Sequence, residues 1–152
     1  SGGLQYDDPH DEDDASDCGA NVFDFLISNV SVLSIDLIDI NGGNMTFVTL
    51  RDSSGDVREW TLSGSFTGDG AFDTLDLTNL GVQIGVGGGT ATVTTNDAGF
   101  DAGDVVQLEV AFLGGPVSGA LDNLVFVPEP RHLLASALAL LALSVVVRRL
   151  NG

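Results

Sequence analysis

Residues 45–62, with the sequence MTFVTLRDSSGDVREWTL, decide the fold class of this chain. The segments 45–50 and 57–62 are rich in Val, Thr, Phe and Leu, which are enriched in β-strands. Between them, residues 52–56 are Asp, Ser, Ser, Gly and Asp, which favour tight turns. This stretch predicts two strands joined by a turn.

The same pattern continues on both sides of this stretch. Turn residues recur about every eight to twelve positions, as is typical of a sandwich or jelly roll. Within residues 20–127, Gly, Asn, Asp and Ser interrupt every apolar run before three helical turns can form. Further strands are predicted at 22–27, 32–40, 72–77, 82–86, 91–95, 105–113 and 121–127. In the first of these, Phe23, Phe25 and Ile27 fall on one face.

We therefore predict an all-β fold, a single antiparallel β-sandwich of jelly-roll-like form over residues 20–127. An acidic lead, residues 1–19, precedes it, and a tail, residues 128–152, follows it. A secretory signal would lie upstream of Ser1, because no basic and apolar leader is present near that end.

Charge argues against nucleic acid as a partner. The chain has a net charge of −17, and residues 1–127 contain twenty-one of its twenty-two acidic residues but only two arginines, a net charge of −19. Such a field repels a phosphate backbone. Cation binding, a high-salt environment and simple solubility remain open explanations of the acidity.

The tail combines three features in a fixed order. Pro128, Glu129 and Pro130 end the last strand, since proline has no backbone donor. Residues 133–147 are uncharged and mostly Leu, Ala and Val, and Arg148 and Arg149 end this run. A helix of this length is about 22 Å long, a marginal match to a hydrocarbon core of roughly 30 Å. The arginines would remain cytoplasmic and the β-domain would face outward; the alternative is a soluble helix packed on the sheet.

These residues resemble the PEP-CTERM sorting domain of Gram-negative bacteria, which has a Pro-Glu-Pro motif, a short apolar span and a terminal basic cluster. The resemblance implies recognition by exosortase, a membrane transpeptidase-like protease. It also implies cleavage near the motif and export to the cell surface or an exopolysaccharide matrix. The basic cluster here departs from the pattern, because it has only Arg148 and Arg149 and is followed by residues 150–152.

The body is similar, more loosely, to extracellular jelly rolls that bind carbohydrate, through the acidic lead and residues 22–25, 35–40 and 118–124. In such domains a structural ion often joins the lead to the last strand. Calcium suits this role, because it takes six to eight oxygen ligands. The candidate ligands are Asp7, Asp8, Asp11, Glu12 and Asp122. The alternative is a solvated acidic segment, with Asp122 in a turn.

Sugar binding requires an exposed aromatic ring beside polar groups. Trp60, near Arg58, is the candidate platform. The alternative is a half-buried strand tryptophan.

Catalysis has no recognisable constellation. His10 and His132 flank the body and no histidine lies within it, so no Ser-His-Asp set is available. No pair of carboxylates is distinguished from the rest. We therefore expect a non-enzymatic structural or adhesive protein of the surface or matrix; the alternative is a calcium-stabilised, exopolysaccharide-binding module.

Overall fold

The computed structural model describes residues 19–27, 29–40, 45–63, 65–113 and 119–128. These residues form strands and no helix, so the all-β prediction is confirmed for this part of the chain. The strands are β1 (Gly19–Asp24), β2 (Val30–Ile38), β3 (Met45–Asp52), β4 (Val57–Ser63), β5 (Phe72–Asp76), β6 (Gln83–Ile84), β7 (Thr90–Asn96), β8 (Val105–Leu113) and β9 (Ala120–Pro128).

All strand pairs are antiparallel, and they divide into two groups. One group has the order β9-β2-β5, and the other has the order β1-β8-β3-β4-β7-β6. A single residue pair, Val30 with Val105, joins β2 to β8. The two groups are therefore parts of one sheet that is almost divided at this pair.

The transition between the groups occurs along β1 and β2. Strand β1 pairs with β8, and the Phe25 amide still donates to the Val106 carbonyl at 2.8 Å. After Val30 the chain leaves β8 and pairs with β9 and β5 instead. The predicted common face of Phe23, Phe25 and Ile27 does not extend to Ile27, because β1 ends at Asp24 and Ile27 lies exposed in the connection, whereas Phe25 packs on the core.

The two ends of the strand order, β5 and β6, approach each other and nearly close the sheet. The Asp76 amide donates to Gln83 Oε1 at 3.0 Å, and Gln83 Nε2 donates back to the Asp76 carbonyl at 2.8 Å. Further along, the Val86 amide donates to Asp73 Oδ2 at 2.8 Å. Side chains thus make the connections that a backbone ladder would otherwise make.

One hydrophobic core is shared by both groups. Alternate residues of β2 point inward, and the long strands β3, β4 and β8 contribute in the same way. The largest fully buried side chains are Trp60, Phe66, Ile35, Leu37, Leu50, Leu62, Leu75, Leu77 and Leu108. Burial of this surface is the main stabilising contribution to the fold.

A glycine-rich loop, residues 85–89, packs backbone to backbone against residues 63–68. The Gly87 amide donates to the Phe66 carbonyl at 3.0 Å, and the Gly89 amide donates to the Ser65 carbonyl at 2.9 Å. A Cβ on Gly85, Gly87 or Gly89 would lie 2.0–2.4 Å from a backbone atom of that segment. Glycine is therefore needed at these three positions, because only a residue without a Cβ lets the two backbones come this close.

The acidic lead, Cys18 and the tail after Pro128 lie outside the described residues. The predicted helix of residues 133–147 is among them. The part of the chain that the structure describes contains no helix with the length and apolar character needed to cross a membrane.

Candidate functional site

A groove lies on the outer face of the β9-β2-β5 group. Its volume is about 230 Å³. The lining residues are Asp36, Ile38, Gly70, Ala71, Phe72, Asp122 and Asn123. They come from all three strands of the group and from the turn before β5.

Strand register places these side chains together. Asp36 on β2 lies opposite Thr74 on β5 and Asp122 on β9. Two residues further along β2, Ile38 lies opposite Phe72. Because residues two apart share a face, the polar row through Asp36 and the apolar row through Ile38 adjoin each other.

Hydrogen bonds fix the polar row. Asp36 Oδ1 accepts from the Thr74 hydroxyl at 2.6 Å, and Asp36 Oδ2 accepts from Asn123 Nδ2 at 2.9 Å. The Asn123 amide donates to Asp122 Oδ1 at 2.8 Å. Asp122 Oδ2 and the Asn123 side-chain carbonyl accept nothing from the described residues, so both remain available to a ligand.

Backbone conformation contributes to this arrangement. Asn123 has φ of 42°, a left-handed conformation that asparagine tolerates better than most residues. The register of β9 against β2 shifts between Ser34 and Asp36, next to this position. Such irregularities redirect side chains, and here the amide of Asn123 reaches across to Asp36.

Phe72 supplies an apolar surface at the edge of the groove. Its side chain is 67% exposed although it belongs to a strand. An exposed ring beside a carboxylate and an amide can stack on the apolar face of a ligand and bond to its hydroxyl groups. The groove is therefore suited to binding a small polar ligand that has one apolar face.

The structure corrects the prediction that Trp60 is a binding platform. Trp60 is 0% exposed, and its Nε1 donates to the Asn79 carbonyl at 3.4 Å. A ring enclosed in the core cannot stack on a sugar. Trp60 shares the inward face of β4 with Leu62, which is also buried. The sequence analysis did not single out Phe72, and no sequence signal distinguishes it from the other phenylalanines.

The predicted calcium ligands are only partly described. Asp122 lines the groove, whereas Asp7, Asp8, Asp11 and Glu12 lie outside the described residues. Within the described ranges no three His, Cys, Asp or Glu side chains are grouped so that they could hold a metal ion. Among the described residues, nothing donates to Asp122 Oδ2, and the other predicted ligands all lie in the acidic lead. Calcium binding stays a prediction.

Many acidic side chains of the body serve as hydrogen-bond acceptors in turns. Asp52, 1% exposed, shows this best: its carboxylate accepts the amides of Ser54 at 2.9 Å, Asp56 at 3.0 Å and Asp101 at 2.8 Å. The other carboxylates that accept backbone amides include Asp39, Asp73, Asp76, Asp97, Asp101, Asp104 and Asp122. Much of the acidity is thus structural, because Asp side chains stabilise turns by bonding nearby amides.

Asp76 is the carboxylate whose ionisation these bonds change most clearly. The hydroxyl of Thr78 donates to its Oδ1 at 2.6 Å and the amide of Thr78 at 2.8 Å. Both bonds favour the charged form and lower the pKa of Asp76 below 3.8, its ordinary value, the hydroxyl contributing most.

The predicted sorting motif begins at the last residue of β9. Pro128 is the last residue of β9 and the register partner of Val30. Glu129, Pro130, Arg148 and Arg149 lie outside the described residues.

Comparisons with known proteins identify no relative: no protein-family model, no curated protein and no solved structure matches the chain. Membership of the PEP-CTERM group therefore stays a prediction from the residues of the tail.

Proposed function

We propose that this chain is an exported, non-enzymatic structural or adhesive protein of the cell surface or extracellular matrix, sorted through its C-terminal tail. The observation that carries the proposal is the position of the motif, because β9 ends at Pro128 and the sorting elements follow directly. Proteolysis beyond Pro128 would release the β-domain without removing a residue from any described strand. Exosortase would be the partner for this step, and residues 133–147 would be the transient membrane anchor.

The finer architecture that we propose is a jelly-roll-like sandwich with β9-β2-β5 as one layer and β1-β8-β3-β4-β7-β6 as the other. Two observations support it. In the described strands, a single ladder pair, Val30–Val105, joins the groups, and both contribute side chains to one core. This arrangement leaves the outer face of each layer free for contacts, as an adhesive module requires.

Export tests the sorting proposal. Replacing Pro128, Glu129 and Pro130 with alanine in the native host should leave the protein in the membrane with its tail uncleaved. Asn151→Ala, beyond the basic residues, is the matched control and should mature normally. Cell fractionation and the mass of the mature C-terminus are the measurements. Normal processing of the triple variant would exclude sorting through this motif.

A second candidate function, carbohydrate binding, is favoured by the groove. Phe72 provides an exposed ring, and Asp122 and Asn123 provide acceptors for hydroxyl groups beside it. The ligand class would be the exopolysaccharide of the matrix to which the protein is exported. Calcium would act by joining the acidic lead to Asp122, and it would stabilise the module.

Binding to polysaccharides tests this candidate. Phe72→Ala should weaken binding about tenfold, the equivalent of about 1.4 kcal/mol and within the range of an aromatic contact. Ile84→Ala is the control, because Ile84 is also exposed and apolar but does not line the groove. Calorimetry should be run with calcium and with chelator. Equal affinity of the two variants, or no binding to any polysaccharide in the presence of calcium, would remove the candidate.

A further inference from the structure

An exposed apolar patch lies beside the point where the chain leaves the sheet. Leu26 is 97% exposed and Ile27 49% exposed, both in the connection between β1 and β2. Phe23 on β1 and Phe126 on β9 are about two-fifths exposed. We call these four residues the tail-side patch. Large apolar side chains grouped on a surface usually mark a contact with a protein or a membrane.

Contacts and register bring the four residues to one corner of the domain. The rings of Phe25 and Phe126 lie 5.4 Å apart between centroids, which joins the β1–β2 connection to β9. Val30, the first residue of β2, pairs with Pro128, the last residue of β9. The connection that contains Leu26 and Ile27 therefore adjoins the chain exit.

Covalent geometry limits how far this corner can be from the predicted anchor. Only residues 129–132 separate Pro128 from Leu133, the first residue of the apolar span. Five Cα steps reach at most roughly 18 Å. The headgroup region on one side of a bilayer is about 5 to 8 Å thick, so the corner remains within reach of the membrane surface at all times. So short a tether gives the patch a high effective concentration at that surface.

We propose that the tail-side patch docks on the outer surface of the lipid bilayer while the tail is still in the membrane, and so orients the β-domain. This inference rests on the proposed membrane anchor. Aromatic and aliphatic side chains at headgroup depth are stabilised by partial burial from water. The net charge of −19 over residues 1–127 opposes association with a second copy and with anionic lipid, so the favoured surface is zwitterionic.

The test uses the full chain with Cys18→Ser, reconstituted with phosphatidylcholine vesicles and labelled at one new cysteine with a polarity-sensitive fluorophore. Leu26→Cys reports on the patch. Ile84→Cys is the matched control, since Ile84 is 76% exposed and lies on β6, at the far end of the strand order from β1. Both positions are exposed, so neither label should disturb the core. Vesicle flotation is measured on the same samples and reports on the anchor independently.

If the patch docks, the fluorescence emission of the label at position 26 should shift to shorter wavelength when vesicles are added. Brominated lipid should quench this emission several-fold more than the emission of the label at position 84. If the protein floats but both labels remain equally water-exposed, the patch does not dock and the anchor alone stands. If the protein does not float, the anchor and the docking both fail. A shift at position 26 that occurs without vesicles and grows with protein concentration would indicate a second copy as the occupant and overturn the lipid proposal.

Discussion

Replacing Gly87 with alanine should destabilise the protein, although the change adds only one methyl group. The new Cβ would lie 2.3 Å from the Ser65 carbonyl oxygen and 2.4 Å from the Gly68 nitrogen. Both neighbours are backbone atoms, so no flexible side chain can move aside. Relief requires the loop of residues 85–89 to separate from residues 63–68, which weakens the 3.0 Å hydrogen bond from the Gly87 amide to the Phe66 carbonyl.

The size of the effect follows from three contributions to the free energy of unfolding. Overpacking costs about 1–3 kcal/mol. The weakened hydrogen bond costs about 1 kcal/mol. Alanine reduces the conformational entropy of the unfolded chain, which stabilises the folded state by about 0.4–1 kcal/mol. The net loss is about 1–3.5 kcal/mol, which lowers the melting temperature by roughly 4–14 °C for a domain of this size.

Thermal and urea unfolding of the full chain in detergent, followed by circular dichroism, measures this loss. Gly19→Ala is the control, because a Cβ at Gly19 has nothing within 4 Å and its φ lies outside the left-handed region. That variant should match the parent or be slightly more stable. If Gly87→Ala melts within about 2 °C of the parent, which is half or less of the smallest expected shift, the close-approach argument is refuted.

Two further changes test the structural role of the acidic residues. Asp52→Asn removes one of the two carboxylate oxygens that accept the amides of Ser54, Asp56 and Asp101, so it should cost about 2–3 kcal/mol in urea unfolding. Glu109→Gln is the control, because it also removes one negative charge but no described hydrogen bond, and it should change the free energy of unfolding little. Equal losses of stability in the two variants would refute the role of Asp52 as a hydrogen-bond acceptor. Thr78→Val should lower stability at pH 7 by an amount that vanishes as the pH falls below 3.8, because the lowered pKa of Asp76 stabilises the fold only while its carboxylate is charged. A difference in melting temperature that stays constant from pH 7 to pH 2.5 would contradict this assignment.

The strands were predictable because their signal is local. Segments rich in Val, Thr, Phe and Leu alternate with Gly, Asp and Asn at spacings that suit short strands and tight turns. Strand β8 occupies residues 105–113 as predicted, and the turn at residues 52–56 contains Gly55 with φ of 91°. The other strand ends differ by a few residues, because pairing partners decide where a strand stops.

The candidate site was less predictable, because it depends on which face of each strand is covered. Trp60 and Phe72 illustrate this. Both are aromatic residues in strands, yet Trp60 is enclosed by the core and Phe72 is 67% exposed. Nothing in the sequence near either residue distinguishes an inner from an outer face. Asp36 was likewise not distinguished by the sequence, although it connects Thr74 to Asn123.

By itself, the sequence determined the fold class and the acidity that disfavours nucleic acid. It also determined the order of the three tail features on which the export proposal rests. Each of these depends on residue type and spacing along the chain. Only the tertiary structure decided the pairing of β2 with both β5 and β9, the near closure at Asp76 and Gln83, and the groove around Asp36. These features join residues that are distant in the chain. Their formation depends on burial and hydrogen bonding across strands, which local patterns do not encode.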